Sequence, residues 1–280
     1  MNKYFDFLGS EVSGVDRDRV YVIPVPIEWS TSYGKGTASA PEAILHASLQ
    51  IELYHPTLDL DLEGTGIVTL RPKVGGKEDL IAFVKEHRSV LREAFVCFIG
   101  GEHSITPWIL EGLGISGIGI VWLDAHADLR ESYLGNRESH ACAAKNSIPF
   151  GKIVEIGVRS FSKEEREYLA RDDRIKIFSL WNEEAREAVK RLPDSVYLSL
   201  DYDVLDPSII RSVGTPEPDG LLWNDLMDLL TFLFREKHVV AMDAVELCPV
   251  ENDETSNFIG AKVIYEAVSR FLRREVQHEE

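Results

Sequence analysis

The run Asp124-Ala125-His126-Ala127-Asp128 constrains this chain more than any other, because it sets three metal-binding side chains at every second position. In an extended strand, or in the turn leaving one, that spacing points all three to one side. The pattern recurs at Asp201-Tyr202-Asp203 after a second apolar run, and His103 follows a third, behind Gly100-Gly101. The preceding runs, 119–123, 196–200 and 95–99, are short and apolar, so each delivers its polar residues at the carboxyl end of a strand. Open α/β sheets bind their ligands there. A lone Asp-x-His reads equally well as an acid capping the next helix. Three such ends in one chain do not, because charged groups buried at one sheet edge repel unless cations compensate them.

Between these ends, short β-branched or apolar runs alternate with longer amphipathic ones, the signature of an α/β fold with a mainly parallel sheet and helices on its faces. Strands are expected at 19–25, 66–70, 94–99, 117–123, 152–158, 175–179, 195–200 and 238–243. Helical patterns cover 40–50, 77–92, 104–113, 163–171, 182–192, 223–235 and 256–275. Ser162 with Glu165 forms a capping-box start, and Pro41 sits where a first-turn proline is tolerated. No repeat, low-complexity tract or linker interrupts the pattern, so residues 1–280 are expected to form a single domain. The Gly/Pro-rich stretch 214–220 reads as a loop near the site.

Charge narrows the partners. Lys and Arg number 30 against 47 Asp and Glu, a net charge of -17, which argues against nucleic acid or an anionic membrane and suits a small cationic substrate. Cys97, Cys142 and Cys248 lack the paired spacing of a disulfide framework or zinc knuckle and read as reduced cytoplasmic thiols. The segment Met1 to Ser10 has no basic region followed by an apolar block, and no run approaches a membrane span, so secretion and membrane insertion are not expected.

The donor set narrows the metal. The carboxylates of Asp124, Asp128, Asp201 and Asp203, with the imidazoles of His103 and His126 and no thiolate, favour hard or borderline ions, Mn²⁺ ahead of Mg²⁺ or Fe²⁺. Six ligands on three strand ends suggest two ions. Such a pair would hold a shared hydroxide as nucleophile, in a centre left negative enough to welcome a cationic substrate.

Four ordered blocks resemble the ureohydrolases, the arginases, agmatinases and relatives that hydrolyse guanidino groups to urea and an amine. They are Gly100-Gly101-Glu102-His103-Ser104, Asp124-Ala125-His126-Ala127-Asp128, the stretch from Ser199 through Asp201-Tyr202-Asp203 to Pro207, and Gly214-Thr215-Pro216-Glu217-Pro218-Asp219-Gly220. The resemblance spans nearly the whole chain. It implies a three-layer α/β/α arginase-like fold with an eight-stranded sheet, and two Mn²⁺ per chain. His103, Asp128 and bridging Asp124 and Asp201 would hold one ion; His126, Asp203 and the same bridges would hold the other. It implies that His140, in Glu138-Ser139-His140-Ala141, shuttles a proton to the departing amine, and that Asp128 passes a proton onward. Glu246, after an apolar run, matches the acid that grips the guanidinium, a planar fork that needs a fixed carboxylate. Asp243 is a candidate for support behind the ligands. His46, His55, His87, His238 and His278 have no partner spacing and read as structural or exposed.

Within the family the chain is similar to agmatinases. Arginases hold the α-amine with an aspartate after a Gly-Leu-Arg turn, whereas here the turn reads Gly157-Val158-Arg159-Ser160. Residues 131–139 lack the Asn/Ser-rich character of the arginase loop, and residues 30–37 resemble the agmatinase amino-terminal loop. The expected reaction is agmatine to putrescine and urea, a step of polyamine biosynthesis, in a cytoplasmic homo-oligomer, trimer or hexamer. Aminopropylagmatine would meet the same requirements. Arginine or formimidoylglutamate would need an anion-binding cluster, for which Arg137 and Arg159 are candidates, and a metal-bound scaffold or regulator without activity is the non-enzyme alternative.

Overall fold

Eight short apolar runs become the strands of one sheet, as the alternation with amphipathic runs requires. The computed structural model describes residues 5–9 and 20–279, with side chains up to residue 275. Arg19, half of the segment 1–10 and the His278 side chain therefore lie outside the described residues. The strands are β1 (Val20–Val25), β2 (Tyr54–His55), β3 (Leu60–Asp61), β4 (Ile67–Thr69), β5 (Phe95–Gly100), β6 (Ile118–Leu123), β7 (Gly151–Ile156), β8 (Ile175–Phe178), β9 (Ser195–Asp201) and β10 (His238–Val245). The helices are α1 (Ala40–Ser48), α2 (Lys77–Leu91), α3 (Ile105–Leu113), α4 (Ala143–Ser147), α5 (Lys163–Leu169), α6 (Glu183–Lys190), α7 (Trp223–Glu236) and α8 (Glu254–Glu279). Expected ends differ by up to four residues. The hairpin β2 with β3 and the short helix α4 have no counterpart in the sequence reading.

The sheet runs β4-β1-β5-β10-β9-β6-β7-β8, and every pairing within it is parallel. Strands β2 and β3 pair antiparallel, apart from the sheet. Side chains alternate between two apolar cores, as a period of two demands when both faces are covered. On β5, Phe95, Cys97 and Ile99 enter the core shared with α1, α6, α7 and α8, while Val96 and Phe98 enter the one shared with α2, α3 and α4. A register shift between Val239 and Ala241 re-phases β10, so that Asp243 lies on the α3 side beside Ser199 and Thr106. The layers are helix, sheet, helix.

This order gathers the chemistry. The strands β5, β10, β9 and β6 are consecutive neighbours at the centre, and they lead respectively into His103, Glu246, Asp201 with Asp203, and Asp124. The chain leaves β5 for β6 and returns later to fill the gap with β9 and β10, and ligand crevices of open α/β sheets form where strand order is interrupted in this way. Ser162 caps α5, and its reciprocal bond with Glu165 completes the expected capping box. Pro41 lies in the first turn of α1. Among the described residues no helix is long and apolar enough to cross a membrane.

Candidate metal centre

Each candidate side chain is set by the backbone just beyond its strand. After β5 the chain must pass under the segment that follows β1: Gly101 N–H donates to Val25 O at 3.0 Å, and Glu102 N–H to Ile27 O at 2.9 Å. A Cβ on Gly101 would lie 2.1 Å from the Ile27 carbonyl oxygen, so only glycine permits the approach. Gly101→Ala is therefore expected to destabilise the protein by roughly 2–3 kcal/mol through overpacking against backbone that cannot swing away, measurable by denaturant titration. After β9, Asp201 Oδ1 accepts the Asp203 N–H at 2.8 Å and closes a 3-10 turn over Tyr202–Val204. Asp203 in turn accepts the Ala125 N–H at 3.0 Å, which ties the β9 turn to the one leaving β6.

The six expected ligands converge. His103 Nδ1 lies 3.2 Å from Asp124 Oδ2, 3.3 Å from Asp201 Oδ2 and 3.5 Å from Asp128 Oδ2. His126 Nδ1 lies 2.9 Å from Asp203 Oδ2 and 3.6 Å from Asp124 Oδ1. Two groups able to hold an ion result, His103 with Asp124 and Asp128, and Asp124 with His126 and Asp203. Asp124 belongs to both and turns one oxygen to each imidazole. Asp128 and Glu246 adopt left-handed backbone, with φ of 48° and 66°. For residues with a Cβ that conformation is costly and is found where packing over-determines it, typically at functional sites.

Hydrogen bonding decides which imidazole nitrogen is free. Ser199 Oγ gives its one hydrogen to Asp243 Oδ1 at 2.8 Å, so at 2.9 Å from His103 Nε2 it can only accept. His103 thus carries its hydrogen on Nε2 and aims the Nδ1 lone pair at three carboxylates. Nδ1 is buried without a hydrogen-bond partner, an arrangement that needs a proton or a metal ion between the groups. Asp243 also accepts from Tyr197 and Thr106, which makes it the support behind His103.

The electrostatics agree. Burial pushes Asp128 and Asp201 well above the ordinary carboxylate range, and the neighbouring acids add to the effect. Burial opposes charge on the imidazoles too, yet the facing aspartates lift His103 to about 9 and His126 to about 12. Asp124 stands well below its usual value despite burial, because His103 and His126 face it. Glu246 is pushed up to about 8, chiefly by burial. The cluster is an acidic centre short of positive charge, and its donors fit a pair of divalent ions.

Above the cluster opens a cavity of about 340 Å³ lined by His126, Asp128, Asp201, Asp203, His140 and Glu246, among others. Its base is acidic. Glu246 Oε1 accepts the His103 N–H at 2.7 Å, and its own N–H donates to Gly101 O at 2.8 Å, so the β10 end is clamped to the loop after β5. His140 opens a 3-10 turn, His140–Cys142, and burial lowers its pKa, which favours the neutral ring at pH 7. The loop 214–220 supplies Gly214 and Thr215 to the wall, as its composition suggests. Arg159 holds that loop through the carbonyls of Glu217 and Pro218 and also bonds Asp203 O. Its guanidinium is thereby committed to backbone, and Arg137 is an exposed partner of Glu131.

Several wall residues have no individual sequence signal, although Tyr33 falls in the stretch 30–37 that resembles the agmatinase loop. Arg130 lines the cavity with its guanidinium 5.3 Å from the Tyr133 ring centroid, and Tyr33 and Phe161 stand at the mouth. Glu28 organises the loop carrying Thr31 and Tyr33, accepting from Gly36 N, Ala38 N and Thr37 Oγ1. Of the histidines read as structural, His55 and His238 belong to strands, and His55 is buried 3.0 Å from Glu266 of α8.

Comparison with known proteins gives a consistent picture. Residues 18–269 match the arginase family. The N(1)-aminopropylagmatine ureohydrolase of Thermus thermophilus is 32% identical over 289 residues, covering 96% of this chain and 98% of its own. The agmatinase of Pyrococcus horikoshii is 32% identical, over 94% of this chain and 96% of its own. Among solved structures, the agmatine ureohydrolase of Thermoplasma volcanium superposes with a TM-score of 0.83 at 28% identity, over 96% of this chain and 94% of that one.

Proposed function

The chain belongs to the arginase family and is a ureohydrolase of agmatinase type, and from that premise we propose that it hydrolyses agmatine to putrescine and urea with two Mn²⁺ per chain. The observation that carries the reading is Asp124, whose two oxygens face separate imidazole groups at the base of a cavity that Glu246 also lines. Four carboxylates and two imidazoles without a thiolate support manganese over zinc. His103, Asp124, Asp128 and Asp201 would hold one ion, and Asp124, His126, Asp201 and Asp203 the other. When bound, such a pair supplies a water acidic enough to act as nucleophile at neutral pH, and a Lewis acid for developing charge. The direct test is urea release from agmatine by the Mn²⁺-loaded protein.

The chain's own groups do the rest. Glu246, fixed by the His103 N–H, presents a carboxylate to the guanidinium and sets its plane across the acidic base of the cavity. Asp128, buried beside His103, is placed to take a proton from the attacking water and pass it on. His140, neutral at rest and at the cavity wall, takes up a proton from solvent, gives it to the departing amine and returns to the neutral ring. His140→Asn is expected to keep both metals and lower kcat by roughly 10- to 1000-fold. Metal analysis alongside turnover checks this; an unchanged rate, or metal loss, would remove the assignment.

N(1)-aminopropylagmatine is the second reading. The similarity to the Thermus enzyme favours it, as does a mouth lined by Tyr33 and Phe161, whose ring faces suit an additional ammonium. We further infer one domain over 1–280, working in the cytoplasm as a homo-oligomer, trimer or hexamer. The two apolar cores laid on one sheet support the first, and three free, buried cysteines are consistent with a reducing compartment. The net charge of -17 supports a small cationic substrate and disfavours nucleic acid or anionic membrane as partner.

A further inference from the structure

Glu102 is fully buried and lies beside the metal cluster without joining it. Its carboxylate instead collects four donors from elsewhere. Trp29 N–H and Ser30 N–H both donate to Oε2 at 2.7 Å, and the hydroxyls of Ser30 and Ser104 donate to Oε1 at 2.7 and 2.6 Å. The Trp29 indole N–H secures Ser104 in turn at 3.1 Å. A buried acid at this position therefore fixes the turn at Trp29 and Ser30, at the start of the loop that lines one side of the cavity.

We propose that Ser30, braced by Glu102, is a positioning residue that locks the His140 ring and sets which of its nitrogens faces the substrate. Ser30 Oγ lies 3.1 Å from His140 Nδ1 and accepts the His140 backbone N–H at 3.0 Å. A hydroxyl has one hydrogen, and that of Ser30 is donated to Glu102. Toward Ser30, Nδ1 can then only donate, and this contact favours the hydrogen on Nδ1, with Ser139 Oγ at 3.2 Å as a rotatable hydroxyl that can turn to accept beside it. The tautomer follows: hydrogen on Nδ1, lone pair on Nε2, and Nε2 is the nitrogen left for the cavity that the ring lines. The same device with the opposite outcome occurs at His103, where Ser199, donating to Asp243, keeps the hydrogen on Nε2 and frees Nδ1. Two serines, each braced by a buried acid, thus assign two imidazoles to different tasks.

The consequence is specific to proton delivery. His140 takes up a proton at Nε2 from solvent, gives that proton to the departing amine, and returns to the Nδ1–H neutral form without rotating. Ser30 stays the acceptor of Nδ1–H throughout and favours the cationic ring while it exists. Ser30 touches neither metal ligand nor guanidinium in this scheme, so its loss should register in turnover and not in substrate affinity.

The inference rests on the assignment of His140 as proton donor, and a double-mutant cycle separates the two. In the Mn²⁺-loaded enzyme, Ser30→Ala is expected to lower kcat about 10-fold, the scale of one hydrogen bond to a charged group, with KM within about twofold and both metals retained. Added to His140→Asn, Ser30→Ala should cost nothing further, because it acts through the ring that is gone. A loop that merely packs the site would give the same loss in either background, and that additive result would overturn the proposal. So would an undiminished kcat in Ser30→Ala, or a loss explained by missing metal. Should His140→Asn itself turn over at the parental rate, the failure lies with the His140 assignment, and the tautomer lock falls with it.

Discussion

Asp124→Asn is expected to lose bound metal and turnover together, with kcat reduced by roughly 10⁴-fold or more, the scale on which indispensable catalytic groups fail. The carboxylate lies at 0% exposure between two imidazoles, and each of its oxygens has its own task. Oδ1 accepts the His126 N–H at 2.6 Å, and Oδ2 accepts the Trp122 indole N–H at 3.1 Å. Asparagine keeps the shape, removes the charge, and must turn an amide NH₂ toward one of those donors, so one bond becomes a donor clash in a dry site. Asp201→Asn should behave alike, since its Oδ2 faces His103 Nδ1 and its Oδ1 is already held by Asp203 N–H. Chelation of the parent should lower its Tm, because ions that bind only the folded chain stabilise it by mass action. Metal analysis of the dialysed variants decides the matter. Two ions retained in an inactive Asp124→Asn would remove Asp124 as the indispensable shared ligand, and one tightly bound zinc in a fully active parent would break the binuclear assignment.

Local spacing accounts for the part of the fold and site that is legible in the sequence. Asp124, His126 and Asp128 are two apart at a strand end, so a period of two predicts their convergence, and the structure brings them together. Sheet and helix runs were legible for the same reason. Ser30 and Glu102 each lie in a stretch that the sequence singles out, but their pairing was not legible, because they are 72 residues apart and meet only through the close passage of the chain over Gly101. Helix α4, Ala143–Ser147, is too short to show a period. The hairpin β2 with β3 has two residues per strand and is fastened to α8 through His55 and Glu266, a tertiary contact with no local signature. Strand β10 outlasts its expected end at 243 because Ala244 and Val245 still pair with β9, and pairing stops where Glu246 turns left-handed.

Agmatine, or its aminopropyl derivative, is expected to exceed arginine in kcat/KM by on the order of 10³, since an α-carboxylate brought into the cavity would be desolvated without a dedicated partner. Ser160 sits in register with His126 on the wall, where a neutral hydroxyl cannot supply charge to an α-ammonium. The arginines that left anion binding open in the sequence are committed elsewhere: Arg159 to the backbone of the 214–220 loop, Arg137 to Glu131 in solvent. Arg130 is the arginine that does line the cavity, and its guanidinium lies over Tyr133. Glu246 serves the group all these substrates share. Glu246→Gln should therefore lower kcat/KM for each by a similar factor, about 30-fold or more for an unpaired buried charge, and leave their ratios unchanged. A ratio that moved with Glu246 would mean that it reads the substrate's far end and not the guanidinium. A clear preference for arginine would make Arg130 the missing counter-charge, to be checked by Arg130→Ala, and would overturn the agmatine assignment while the metal chemistry stood.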